Sequence, residues 1–197
     1  ILRYLVQFPV RFYVSAFRGT PLFVQIMVVH FALVPLFINP RDGLLVTSGL
    51  MSADFARELR ASYGAFLSCI VAITLNAGAY VSEIFRAGIQ SIDKGQMEAS
   101  RALGMPWWKT MRKVILPQAF RRILPPLGNE FIVLIKETSI IGYIGMMDLT
   151  KGAMLIQSRT YNAFWPLMAA AAIYLVIVGI LTWGMNKLER RLRTSER

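Results

Sequence analysis

The sequence has little of what metalloenzymes and disulfide-stapled domains are built from. One cysteine and one histidine stand among 197 residues, so no intrachain disulfide can form and the fold cannot depend on an oxidising compartment. A lone His30 and a lone Cys69 also leave no metal-ligand cluster and no nucleophile with its base, so neither a metal site nor a catalytic residue is predicted. Charge is scarce, at 17% of residues against 55% hydrophobic, a departure from soluble domains toward a bilayer as solvent. Acids are scarcer still, with 11 Asp and Glu against 22 Lys and Arg, for a formal net charge of +11. An excess of that size suits nucleic acid only on a soluble domain, and the apolar runs leave little room for one, so no nucleic-acid partner is predicted.

A spanning helix needs about 20 mostly apolar residues. Four segments approach that: 21–38, 63–85, 125–147 and 164–185. The last is the cleanest and the third the least regular. The expected fold class is therefore all-α, a polytopic membrane protein forming a single transmembrane domain over 1–197. Basic loops stay cytoplasmic, and here basic and neutral loops alternate. The opening segment carries Arg3, Arg11 and Arg18 with no acid, the stretch from Arg86 to Arg122 has a balance of +6, and the tail after Met185 has +3. The loop over 39–62 comes to zero. This places both ends and the long central loop, 89–123, in the cytoplasm, and makes the +11 a signal of topology. In the outer loop, Ser52 is placed to cap a short surface helix with Asp54 in its first turn.

The central loop reads IQSIDKGQMEASRALGMPWWKTMRKVILPQAFRRI. Glu98, Ala99 and Ser100 open a helical run that Gly104 and Pro106 interrupt, and a second run extends from Trp107 until Pro117. Two short helices joined at a bend are expected, with Met105, Trp107 and Trp108 beside Lys109, Arg112 and Lys113. Aromatic anchors rimmed by charge suit a protein interface; an amphipathic pair lying on lipid has the same composition. Gly104, four residues, Lys109-Thr110 mimics a phosphate-binding loop, but Trp108 stands where that loop needs glycine. No cofactor is predicted in this chain.

Glu98-Ala99-Ser100, three residues, Gly104, nine residues, Val114, one residue, Leu116-Pro117 resembles the EAA loop of ABC importer permeases, whose pattern is E-A-A, three residues, G, nine residues, I-x-L-P. Serine for the third residue and valine for isoleucine are the only departures. Phe17-Arg18-Gly19-Thr20-Pro21 with Gln25 resembles the FRGTPLLVQ segment of the polar amino-acid branch of that family. Asn76 to Gly88, Asn129 with Lys136-Glu137-Thr138-Ser139, and Leu188-Glu189-Arg190-Arg191 resemble further segments of it.

The resemblance implies a type I ABC importer transmembrane fold with a fifth spanning helix before the position of Ile1. It implies a bacterial inner-membrane location, a second permease subunit, an ABC ATPase dimer that holds the ATP and Mg, and an extracytoplasmic amino-acid-binding protein. The ATPase-coupling residues carried over are Glu98, Ala99, Gly104, Met105, Trp107, Trp108, Leu116 and Pro117, with Glu98 anchoring the loop to a base such as Arg101 or Arg121. The cargo is a polar amino acid such as glutamine, glutamate, arginine or histidine; the rival reading is an ATP-independent secondary transporter or channel.

A zwitterionic cargo needs donors and acceptors at membrane depth, where ionisable groups are costly. The candidates for that path are Asn76, Tyr80, Glu83, Glu137, Thr138 and Ser139. Each has an alternative: Asn76 and Tyr80 equally bridge helices, and Glu83 sits one turn from Arg86 as an internal ion pair. His30 reads as a packed, satisfied side chain.

Overall fold

The computed structural model describes residues 2–194, with side chains over 7–191, and every regular element among them is helical. α1 (Leu2–Gly19) leads into α2 (Leu22–Val28), which passes through a π-helical turn (Val29–Leu33) into α3 (Val34–Ile38). A short α4 (Leu44–Thr47) precedes the 38-residue α5 (Ala53–Gln90). α6 (Lys94–Ala102) and α7 (Trp107–Thr110) follow. A second π-helical turn (Met111–Ile115) then leads into α8 (Leu116–Glu137), a 3-10 segment (Thr138–Ile144), α9 (Leu149–Thr160) and α10 (Phe164–Thr194).

Among the described residues, two helices are long and apolar enough to cross a membrane, α5 and the 164–191 part of α10; the 7–19 part of α1 and α2–α3 pass together as a pair, and that pair is bent by 109°. The expected segments 63–85 and 164–185 thus lie inside α5 and α10, and 21–38 inside the bent pair. The segment 125–147 is not one helix. α8 starts nine residues earlier, at Leu116, runs through Pro125 and Pro126, and ends at Glu137. There Thr138 turns its hydroxyl back to the Ile135 carbonyl at 2.7 Å, a local bond that competes with the helical ladder. Gly145, at φ 92, closes the 3-10 run.

Two further expectations are corrected. Ser52 does cap a helix, accepting from the Phe55 amide at 3.3 Å, but that helix is α5 itself, so the separate surface helix merges with the span. Nor does Pro117 end a helix. Pro35 and Pro117 each stand two residues after a π-helical turn. Proline lacks an amide and its ring crowds the carbonyl four residues back; widening the preceding turn by one residue relieves both, and the helix continues.

The chain forms two compact units, one of residues 1–79 and 134–174, the other of 80–133 and 175–197. In the first, Leu22, Ile26 and Val29 pack on Cys69 and Ala72 of α5 and on Ile144. The 109° corner is held by polar side chains. The Gln25 amide nitrogen reaches the Phe17 carbonyl (2.8 Å), the Thr20 carbonyl (2.9 Å) and the Thr20 hydroxyl (2.8 Å), and Asn76 donates to Gln25 Oε1 at 3.0 Å. Gln25 and Asn76 are buried, and together they satisfy carbonyls that the end of α1 leaves without helical partners. His30 bonds to Ser68 at 3.0 Å, as a satisfied packed residue should. Replacing Gln25 with Glu puts a carboxylate against three acceptors and is expected to cost about 3 kcal/mol, given about 1–3 kcal/mol for each buried group left unpaired. The check is a lowered melting temperature of the purified chain in detergent, with Gln25→Met falling less.

Candidate functional site

The central loop is a closed helical hairpin within the second unit. Asp93 caps α6, its Oδ1 accepting from the Gly95 amide at 2.6 Å. Ile92, just before the cap, and Met97, four positions into the helix, join the same apolar core, a hydrophobic staple that sets the angle at which the chain enters α6. The far end closes through Gly104 at φ 81. The Gly104 amide bonds to the Arg101 carbonyl at 3.0 Å and the Met105 amide to the Ser100 carbonyl at 3.2 Å. Those two bonds and the left-handed glycine form a Schellman motif, which satisfies the last carbonyls of α6 and turns the chain sharply. Pro106 then starts α7 in an extended conformation.

The turn presents a compact apolar patch. Leu103 is 85% exposed, Trp107 51% and Trp108 64%, with Lys109, Arg112 and Lys113 exposed next to them. Leaving two tryptophans this open has a burial cost that a partner surface would recover, since each ring removes 150–250 Å² from water when covered. Glu98 and Ala99 are exposed on α6, while Ser100 is buried with its hydroxyl on the Gln96 carbonyl at 2.7 Å. Burial explains why a small residue stands there. Thr110 is fully buried on the inner side of the hairpin.

The hairpin stands on a core of Ile92, Ile115, Ala119 and Ile123. α5 and α8 meet there so closely that a Cβ on Gly88 would lie 2.2 Å from Cγ1 of Ile123. Arg122 ties the seam by donating to the Ser91 carbonyl at 2.5 Å. Met105, Trp107, Trp108, Gly104, Glu98 and Ala99 therefore share one hairpin, and Leu116 and Pro117 open the helix that continues from it. The Glu98 side chain is exposed rather than packed into the core beneath the hairpin. α6 also starts at Lys94 rather than at Glu98, because Asp93 supplies the cap.

The membrane-depth candidates fall in both units. In the first, Asn76 is buried with its Nδ2 on Gln25 Oε1 and the Phe17 carbonyl, which favours the helix-bridging alternative; Thr138 donates back to Ile135 of α8, and Glu137 and Ser139 are half-buried. In the second, Tyr80 is half-buried and Glu83 is gripped by Arg86, whose Nε lies 2.8 Å from Oε2, with a second bond from the guanidinium to Oε1. Two features were not visible in the sequence. Gly88 looks like any helical glycine until Ile123 is seen against it. A pocket of about 260 Å³ in the second unit takes Asn129 from α8 and Thr182, Asn186 and Glu189 from α10, where Thr182 and Asn186 are isolated polar residues in or beside an apolar run.

The family model described as binding-protein-dependent transport system inner membrane component matches residues 4–194. The arginine transport system permease protein ArtQ of Bacillus subtilis (strain 168) is 42% identical over 185 residues, covering 94% of this chain and 74% of that protein. The glutamine transport system permease protein GlnP of Escherichia coli (strain K12) is 39% identical over 181 residues, covering 92% of this chain and 73% of that one. Among solved structures, the crystal structure of an amino acid ABC transporter with histidines aligns at a TM-score of 0.71 and 42% identity, over 91% of this chain and 73% of its own.

Proposed function

Since the chain belongs to the family of binding-protein-dependent transport system inner membrane components, we propose that its α6–α7 hairpin is the lever through which a separate ATPase drives it. The chain is an integral membrane permease subunit of an amino-acid ABC importer, and partners of the ATPase and binding-protein kinds go with that family. The observation that carries the coupling role is the Schellman-closed turn holding Trp107 and Trp108 outward beside three exposed bases. In this reading the patch seats in a groove of an ABC ATPase dimer, which holds the ATP and Mg, and nucleotide-driven closure of that dimer pulls the hairpin. The firm base at Gly88 and Ile123 transmits the pull to α5 and α8, and the path alternates between inward and outward access. The second permease subunit is a copy of this chain or a relative, the membrane is the bacterial inner membrane, and the C-terminus lies on the ATPase side. The cargo is a polar amino acid, with glutamine, glutamate, arginine and histidine as the first to test.

Reconstitution of the chain with its ATPase and binding protein in liposomes tests this. Uptake of labelled glutamine, arginine or histidine should require both ATP inside and the binding protein outside. Uptake without the ATPase would establish a secondary transporter or channel instead, and a binding protein specific for sugar or metal would remove the amino-acid assignment. Within the complex, Trp108→Ala should weaken ATPase pairing by about 2 kcal/mol, roughly 30-fold, as expected for an aromatic anchor at an interface centre. Titration of the permease with labelled ATPase measures it, and unchanged affinity would move the contact elsewhere on the hairpin.

A further inference from the structure

α1 stands at 109° to α2–α3, close to perpendicular, so it does not share the direction of the apolar helix that follows it. Its inner side is pinned by Tyr13, whose hydroxyl donates to the Leu75 carbonyl of α5 at 2.6 Å. Phe8 and Phe12, one helical turn apart, are left 74% and 67% exposed, with Arg11 exposed next to Phe12. The first nineteen residues hold three arginines and no acid. A helix lying across the axis of a span, apolar on one side and purely cationic in its charge, matches the boundary between acyl chains and anionic headgroups.

We propose that α1 is an interfacial helix that docks on anionic lipid of the cytoplasmic leaflet, with Phe8 and Phe12 among the acyl chains and Arg11 at the headgroups. This rests on the membrane reading and orientation given above. Charge complementarity selects the occupant. A protein partner would need an acidic surface, whereas the bilayer already present offers apolar depth and negative charge at one boundary. The polar corner of Gln25 and Asn76 then does more than turn the chain: it holds α1 at the angle that keeps both phenylalanines in the interface.

The test uses the full chain carrying Cys69→Ala, with a nitroxide attached at Phe8→Cys, Phe12→Cys or Arg11→Cys, and at Ile70→Cys in α5 as a depth reference. In vesicles of phosphatidylethanolamine and phosphatidylglycerol, the labels at positions 8 and 12 should collide with dissolved oxygen more than with a water-soluble nickel chelate. They should lie roughly 5–10 Å below the headgroup boundary, and the label at 11 should favour nickel. In vesicles of phosphatidylcholine alone, the labels at 8 and 12 should move outward. Full nickel access at 8 and 12 overturns the proposal, as does shielding from both reagents, which would mean protein covers this face. Equal depth in the two lipids overturns the choice of anionic lipid. If the label at 70 is itself outside the hydrocarbon, the membrane reading fails; if it is deep while 8 and 12 are not, only the proposal does.

Discussion

Replacing Gly104 with valine should leave the chain in the membrane at its normal level and abolish its pairing with the ATPase, read as loss of that subunit from detergent-purified complexes. A Cβ at Gly104 meets nothing within 4 Å, so the effect is conformational rather than steric. The residue sits at φ 81, where an ordinary side chain costs about 1–2 kcal/mol and a β-branched one more. The chain escapes that cost most easily by rotating out of the left-handed region. Doing so breaks the bonds from Gly104 to Arg101 and from Met105 to Ser100, and re-aims Trp107 and Trp108 together. The substitutions should therefore be graded. Asparagine, which tolerates this conformation, should keep most pairing; alanine should weaken it; valine should remove it. Normal pairing by the valine variant would detach the turn from the coupling role.

Gly104 was legible because it is a local signal, a glycine and a proline at fixed spacing between two helical runs. So were the apolar stretches within α5 and α10, and the Ser52 cap. The start of α6 was also present in the sequence, as Asp93 followed three residues later by Gln96, a capping pattern that stands five residues before the Glu-Ala-Ser run. Other features were hidden for physical reasons. Pro117 reads as a helix breaker because the rule for proline assumes regular α-helical hydrogen bonds, and a π-helical turn changes that bonding before the proline is reached. The break at Thr138 lies inside a run whose apolar residues continue past it, so hydropathy alone carries the segment to Met147. The Gln25–Asn76 contact joins residues 51 apart, and no periodicity states which buried amide will find which carbonyl. Asn76 thus looked equally like a path residue and a bridge until its partners were visible.

The seam beneath the hairpin makes the second large prediction. Gly88→Ala looks favourable on propensity, since alanine gains about 0.5–1 kcal/mol over glycine in a helix interior. The contact outweighs it. The new Cβ would lie 2.2 Å from Cγ1 and 3.0 Å from Cδ1 of Ile123, a side chain only 1% exposed and stiff at its branched carbon. Forcing a methyl into such a site costs about 1–3 kcal/mol, so Gly88→Ala should lower the melting temperature of the purified chain and Gly88→Leu should lower it further. Ile123→Ala alone removes the clashing atoms but opens a cavity, at a cost of about 2–5 kcal/mol. The double variant Gly88→Ala with Ile123→Ala puts a methyl into that cavity and should be no less stable than Ile123→Ala. The expected coupling is about 0.5–3 kcal/mol in favour of the pair. Additive losses would mean α5 and α8 do not meet at this point, and the hairpin would lose the rigid base that lets a pull on Trp107 and Trp108 reach the membrane.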